Sequence, residues 1–134
     1  MILDRKAILA VNDLVTKTVN VPEWKGDVII RTMTGSERDA FESSLIEGRG
    51  DNKQANMKNL RAKLLASCLI DESGKRLFSE KDIGDLGGKS AKALDRLYTV
   101  ARDLNGIGAE DEEELVKNSD SEGNVSSTSS SRES

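Results

Sequence analysis

The stretch that decides the fold is VNVPEWKGDVIIRTMTGSERDAFE, which runs from Val19 to Glu42. Residues 16–21 and 27–32 have alternating or β-branched side chains, and the turn sequence PEWKG lies between them. Proline cannot donate a hydrogen bond to a sheet and glycine allows positive φ, so both residues are tolerated in a turn. The pattern therefore predicts a β-hairpin in which Gly26 permits the positive φ of the turn.

The same stretch continues into a predicted helix that begins at Thr34. Thr34 and Glu37 have the Thr-x-x-Glu spacing of a capping box, in which the hydroxyl accepts a hydrogen bond from the Glu37 amide and the carboxylate reaches back. Ala40, Phe41 and Leu45 follow at helical spacing, and the glycines after residue 47 end the helix. The hairpin therefore leads directly into a capped helix.

Two longer helices are predicted further along the chain. Residues 55–70 carry apolar side chains at three- and four-residue steps, and these are Met57, Leu60, Leu64, Leu65, Cys68 and Leu69. The second long helix is capped by Ser90 and ends at Asn105-Gly106. Its apolar stripe consists of Leu94, Leu97, Tyr98, Ala101 and Leu104.

Two shorter helices complete the predicted fold. Residues 4–12 place Ala7, Ile8 and Val11 at helical spacing, and a helix this short must dock on the rest of the chain to be stable. Residues 79–86 form the other, which Gly87-Gly88 breaks. We predict an α+β fold that is mainly helical, with a small N-terminal β-hairpin packed on four to five helices.

The distribution of charge divides the chain after Asn105. Residues 1–105 contain 18 basic and 16 acidic side chains, whereas residues 106–134 contain 2 basic and 8 acidic ones. We expect residues 1–105 to form one folded helical domain with the hairpin, and the acidic, Ser-rich residues 106–134 to form a disordered tail. The net charge of −4 thus comes from the tail, and it is opposite to the field of most nucleic-acid binders.

Several classes of protein are excluded by the residue types present. No run approaches the roughly 18 apolar residues of a membrane span, and Asp4, Arg5 and Lys6 interrupt any secretory signal. The chain has no histidine, and its single cysteine, Cys68, makes neither an internal disulfide nor a thiolate metal site. We therefore expect no catalytic residue, no metal and no cofactor.

Two local features have both a structural and a functional interpretation. Trp24, in the hairpin turn, either packs the strands onto a helix or is an exposed anchor for a partner, and the sequence leaves both options open. A basic patch either is a solvated helix face or meets an acidic partner. This patch consists of Lys53, Lys58, Arg61 and Lys63.

Four segments together resemble the tail assembly chaperones of long-tailed, siphovirus-like bacteriophages. They are ILAVNDL, VNVPEWKGDVIIRTMTGSERDAFE, LRAKLLASCLIDESGKRLFSEKDI and KSAKALDRLYTVARDLNG, in this order between Ile8 and Gly106. The resemblance is most specific over residues 21–41 and 60–78. None of these segments is an active-site signature, so the resemblance depends on pattern over length.

The resemblance implies a protein that is not an enzyme and that works in the cytoplasm of the infected host cell. Such a chaperone binds the long helical tape measure protein, keeps it soluble and helps to recruit tail tube subunits. It is absent from the finished virion. The implied partners are the tape measure protein and the major tail tube protein, with self-association as a further option. The alternative is a small structural virion protein that joins head and tail.

A helical client would fit a groove between two amphipathic helices, and several weak contacts along one client would add through avidity. The stripes of the helices predicted at 55–70 and 89–105 are candidates for the walls of such a groove. We expect the partner-binding residues to be Trp24, Met57, Leu65, Leu69 and Tyr98.

Overall fold

The structure, a computed structural model, describes residues 1–48 and 50–107. Within these residues the helices are α1 (Arg5–Ala10), α2 (Gly35–Ser43), α3 (Leu60–Cys68), α4 (Ile83–Gly87) and α5 (Ala91–Leu104). The strands are β1 (Thr16–Val21), β2 (Gly26–Arg31), β3 (Ile46–Glu47), β4 (Gln54–Ala55) and β5 (Leu69–Ile70). Short 3-10 turns occupy Pro22–Trp24, Gly50–Asn52 and Glu80–Asp82. The predicted α+β class is confirmed, whereas residues 108–134 of the predicted disordered tail lie outside the described residues.

The predicted hairpin is present, and it forms two strands of a three-stranded antiparallel sheet. β1 pairs with β2 from Thr16–Arg31 to Val21–Gly26, and β2 also pairs with β5, so the strand order is β1-β2-β5. The prediction for the turn is wrong in one respect, because Lys25 and not Gly26 takes the left-handed conformation, with φ of 56°. The Lys25 amide donates to the Pro22 carbonyl at 3.1 Å, which closes the turn.

The capping box of α2 is confirmed. The Glu37 amide donates to the Thr34 hydroxyl at 3.1 Å, and the Thr34 amide donates to the Glu37 carboxylate at 2.9 Å. The same carboxylate accepts a 2.6 Å hydrogen bond from Arg31 at the end of β2. Glu37 therefore joins the hairpin to α2 and fixes the direction in which the helix leaves the sheet.

The predicted helix over residues 55–70 is wrong at both ends. α3 begins only at Leu60, because Asn59 has φ of 57° and cannot continue a right-handed helix backwards. At the other end Leu69 and Ile70 leave the helix and pair with Ile30 and Ile29 of β2. The apolar stripe is real, but its last residues belong to the sheet.

The hydrophobic core lies where α3 and α5 pack against each other, against α4 and against one face of the sheet. The largest fully buried side chains are Val21, Ile30, Leu64, Leu65, Cys68, Leu69 and Leu97. The buried side chains of α3 and α5 share one core cluster, and a client groove between the two helices stays a prediction. α5 buries one apolar stripe, whereas α3 is buried from Leu64 to Cys68 and lies within the core.

α5 ends at the predicted place. Gly106 has φ of 71°, its amide donates to Asp103 at 3.1 Å, and the Ile107 amide donates to Arg102 at 2.9 Å. These two bonds form a Schellman motif, which satisfies carbonyls at the helix terminus. Ile107 is buried, so the core extends to the last described residue.

Candidate functional site

The first 15 residues form an exposed apolar segment, which we call the arm. Asp4 caps α1, since its carboxylate accepts from the Ala7 amide at 2.8 Å, but no residue of α1 is buried. Leu9 is 67% exposed and Ile8 is 56% exposed. The prediction that this helix docks on the rest of the chain is therefore wrong. The other exposed apolar side chains of the arm are Met1, Ile2, Leu3, Val11 and Val15.

The arm is attached firmly at its C-terminal end. The Val15 amide donates to the Thr32 hydroxyl at 3.0 Å, and the Thr32 amide donates to the Val15 carbonyl at 2.9 Å. These two bonds extend the pairing of the hairpin by one step. The arm thus starts from a rigid base and presents its apolar side chains to solvent. Contiguous exposed apolar side chains of this kind mark surfaces that bind another molecule.

A second apolar surface is an open groove of about 750 Å³ between α2, α3 and residues 76–83, which we call the helical groove. Phe41 and Phe78 contribute aromatic surface, and Leu77 is 48% exposed at its edge. Charges of both signs surround it. They are Glu37, Lys63, Arg76, Glu80, Lys81 and Asp82.

Hydrogen bonds hold the walls of the helical groove in place. Arg76 donates through Nε to the Ala66 carbonyl at 3.0 Å, which ties residues 76–83 to α3. Lys63 donates through Nζ to the Ser44 carbonyl at 2.8 Å and thereby links α3 to the end of α2. The groove is therefore a fixed feature of the fold and does not depend on a ligand to form.

A third surface is an open groove of about 740 Å³ over the sheet and the turn after β5, which we call the sheet groove. Ile29, Ile70 and Leu77 provide its apolar floor and wall. Its charged lining residues are all acidic, namely Asp27, Asp71 and Glu72. Leu77 lines both grooves, so the two apolar surfaces adjoin at this residue.

The five residues predicted to contact a partner lie in or against one core cluster. Leu65, Leu69 and Tyr98 are 0%, 1% and 8% exposed, so a partner could reach them only if the core opened. Trp24 and Met57 are half-buried and pack against the edge of the same cluster. Trp24 thus packs the hairpin turn against the core, and part of the residue stays exposed. Client contact by these residues stays a prediction.

The basic patch is partly engaged within the fold. Arg61 forms an ion pair with Asp95 of α5 and lies 5.9 Å from the centroid of the Tyr98 ring. Lys63 is held by the Ser44 carbonyl, as described above. Contacts within the fold therefore account for Arg61 and Lys63 without an acidic partner.

Cys68 is a core residue. Its Sγ accepts a 3.4 Å hydrogen bond from Asn105 Nδ2, and burial raises the pKa of the thiol to about 11. Within residues 1–48 and 50–107 no group of three or more His, Cys, Asp or Glu side chains is placed to hold a metal ion. No helix in the same ranges is long and apolar enough to cross a membrane.

Among the described residues the fold presents an exposed apolar arm and open grooves with apolar linings, which are typical of a protein that binds other proteins. The model of the phage tail assembly chaperone family matches residues 4–118 of the chain. The chain belongs to this family. None of the curated proteins compared with it matches.

A solved structure supports the fold. The chain is similar to the tail assembly chaperone of bacteriophage HK97, with a TM-score of 0.54 and 22% sequence identity. The similarity covers 74% of this chain and 90% of the HK97 chain. At this level of identity the comparison establishes that the two proteins share the fold.

Proposed function

We propose that this chaperone binds the tape measure protein of its phage and keeps it soluble until tail tube subunits polymerise around it. The observation that carries the proposal is the exposed arm on a protein that belongs to the tail assembly chaperones. A long helical client exposes apolar stripes before the tube surrounds it. Burying those stripes against apolar side chains of the chaperone would remove them from water and prevent their aggregation.

The arm and the helical groove are the surfaces that we assign to the client. An amphipathic helix binds a groove through apolar side chains spaced by three or four residues. Leu77 and the exposed part of Phe78 offer matching apolar surface beside the buried Phe41. Each contact is small, but many chaperone copies along one client would bind it with high avidity. Trp24 and Met57 remain candidates for client contact at the edge of the core, and Leu65, Leu69 and Tyr98 could take part only if the core opened.

The proposal also covers where the protein acts and what becomes of it during assembly. We infer that the protein acts in the host cytoplasm, helps to recruit tail tube subunits and is left out of the finished virion. The acidic residues 106–134 would raise the net negative charge of a chaperone whose apolar surface is otherwise exposed, and such charge favours solubility.

The experiment is co-expression with the tape measure protein encoded by the same genome. We expect a severalfold rise in the soluble tape measure protein, and co-purification of the two chains. The test variant is Ile8→Gln/Leu9→Gln, which removes apolar surface from α1 without changing charge. The matched control is Ala91→Gln/Thr99→Gln, because both residues are exposed on α5.

We expect the arm variant to lose most of the gain in soluble client, while the α5 control keeps it. Circular dichroism and unfolding in urea must show that both variants fold, because only then does the loss report on binding. An equal gain with the arm variant and the control would contradict the role of the arm. Mass spectrometry of purified virions tests the alternative, since a head-tail joining protein must be present in them and a chaperone should be missing.

A further inference from the structure

The sheet groove differs in chemistry from the helical groove. Among the lining residues of the sheet groove the charged ones are Asp27, Asp71 and Glu72, and no basic side chain lines it. The lining of the helical groove carries both signs. The two adjoining grooves have nearly equal volumes but different charges, so we expect them to favour ligands of different charge.

Two of the three carboxylates of the sheet groove, those of Asp71 and Asp27, are held by hydrogen bonds. Asp71 Oδ1 accepts from the amides of Ser73 and Lys75 at 2.8 and 3.0 Å and from the Ser73 hydroxyl at 2.6 Å. These hydrogen bonds hold the turn and lower the pKa of Asp71. Asp27, on the opposite side, accepts from Asn20 Nδ2 at 2.9 Å.

The floor between these acids is apolar and partly accessible. Leu77 is 48% exposed and Ile29 is half-buried, whereas Ile70, at 5% exposure, closes the bottom of the groove. The groove is open to solvent along its length, so the apolar stripe of a helix can approach Leu77 and Ile29 from outside. An apolar floor between acidic rims is complementary to a segment that has an apolar stripe with cationic side chains on both sides of it.

We propose that the sheet groove binds client segments in which an apolar helical stripe is flanked by Lys or Arg, and discriminates against segments flanked by acids. This inference rests on the proposed function and names the class of client sequence that the chaperone selects. Apolar contact with Leu77 and with the exposed part of Ile29 supplies affinity, and the carboxylates supply selectivity. Cationic flanks bind the rims, whereas acidic flanks would be repelled by all three acids.

The test uses two labelled 18-residue peptides with the same stripe of Leu and Ala. One peptide has Lys at every flanking position and the other has Glu. Fluorescence anisotropy measures their binding to the full chain at low and at moderate salt. We expect the Lys peptide to bind at least tenfold more tightly than the Glu peptide, with a preference that shrinks as salt screens the rims.

Two pairs of variants locate the preference. Asp27→Asn/Glu72→Gln removes two charges of the sheet groove, leaving Asp71 in place to hold its turn. Asp39→Asn/Asp85→Asn removes two exposed charges from α2 and α4 as a matched control. We expect the first pair to lower the affinity for the Lys peptide about tenfold and the control pair to leave it within twofold.

The inference is overturned if both peptides bind alike, or if the sheet-groove pair and the control pair have the same effect. It is also overturned if the occupant is a second copy of the chain. In that case the chain would sediment as a dimer in which the arm of one copy, with its cationic Arg5 and Lys6, fills the acidic groove of the other. Arg5→Glu/Lys6→Glu would then release the monomer.

The outcomes separate this inference from the proposed function. If the chain solubilises the tape measure protein but prefers neither peptide, the inference fails and the proposed function stands. If the chain binds the Lys peptide selectively but has no effect on the tape measure protein, the proposed function fails and the selectivity of the sheet groove stands.

Discussion

Replacement of Asn105 by alanine tests how the fold holds its hairpin, helices and C-terminal end together. Asn105 Oδ1 accepts from the Met33 amide at 2.7 Å, and Asn105 Nδ2 donates to the Ala101 carbonyl at 2.7 Å and to Cys68 Sγ at 3.4 Å. One side chain at the end of α5 thus connects the segment between β2 and α2 with α3. Asn105→Ala removes all three contacts without introducing a charge.

The magnitude follows from which groups are left without a partner. The Ala101 carbonyl still accepts from the Asn105 amide at 3.0 Å, so the loss of Nδ2 there has a small effect. The Met33 amide belongs to a buried residue and would lose its acceptor, which costs roughly 1–3 kcal/mol. With the weaker contact to Cys68 included, we expect the free energy of unfolding to fall by about 2–3 kcal/mol.

Urea unfolding followed by circular dichroism measures the change, with an unchanged slope as evidence that the two-state comparison holds. The control is Asn20→Ala, whose side chain donates to Asp27 at 2.9 Å on the exposed face of the hairpin. Because water replaces that bond, we expect a change below about 0.5–1 kcal/mol. If Asn105→Ala destabilised the protein no more than Asn20→Ala, Asn105 would not hold these elements together as described.

Three further outcomes follow from the structure. Leu97→Ala, at a fully buried position, should lower the free energy of unfolding by about 2–5 kcal/mol in urea, and a loss below 1 kcal/mol would place Leu97 outside the core. Burial raises the pKa of Cys68 to about 11, so iodoacetamide at pH 8 should label it only after unfolding, and mass spectrometry showing labelling at the rate of a free thiol would contradict its burial. Burial opposes ionisation of Glu37, but hydrogen bonds from Thr34 and Arg31 outweigh it and hold its pKa below the ordinary 4.5. The wild-type protein should therefore have a higher free energy of unfolding than Glu37→Gln well above pH 4.5, and this difference should disappear as the pH falls below 4.5. Urea titrations in which the difference grows on acidification would refute this reasoning.

Local signals in the sequence were sufficient for the hairpin and for the start of α2. Residues 16–21 and the Thr34–Glu37 spacing act over a few positions, and their hydrogen bonds are made within the same segment. The end of α5 is local in the same way, since Gly106 alone permits the left-handed residue that its final turn requires.

The ends of α3 could not be predicted from periodicity. Leu69 satisfies the helical stripe of the sequence, yet β2 recruits Leu69 and Ile70 as a third strand, and that pairing joins residues about 40 positions apart. A helical and an extended continuation both bury Leu69, so periodicity alone does not separate them. At the other end Asn59 is left-handed, and asparagine adopts left- and right-handed helical conformations, so the sequence does not indicate which one occurs there.

The candidate site was the part that sequence reasoning predicted least. The apolar stripes of the two long predicted helices suggested exposed surface for a partner. In the structure these side chains pack against one another, so Leu65, Leu69 and Tyr98 lie in the core. The arm was expected to dock because it carries apolar residues. The sequence did contain a sign of exposure, because the apolar residues of the arm are too many to lie on one face of a six-residue helix.

The most direct test of the central claim is hydrogen-deuterium exchange of the full chain, alone and bound to its tape measure protein. If exposed apolar surface is what binds the client, amides of α1 and of residues 76–83 should exchange more slowly in the complex. Amides of the core helix α5 should change little. Strong binding with no slowing in the arm or along the helical groove would contradict the claim that these surfaces hold the client.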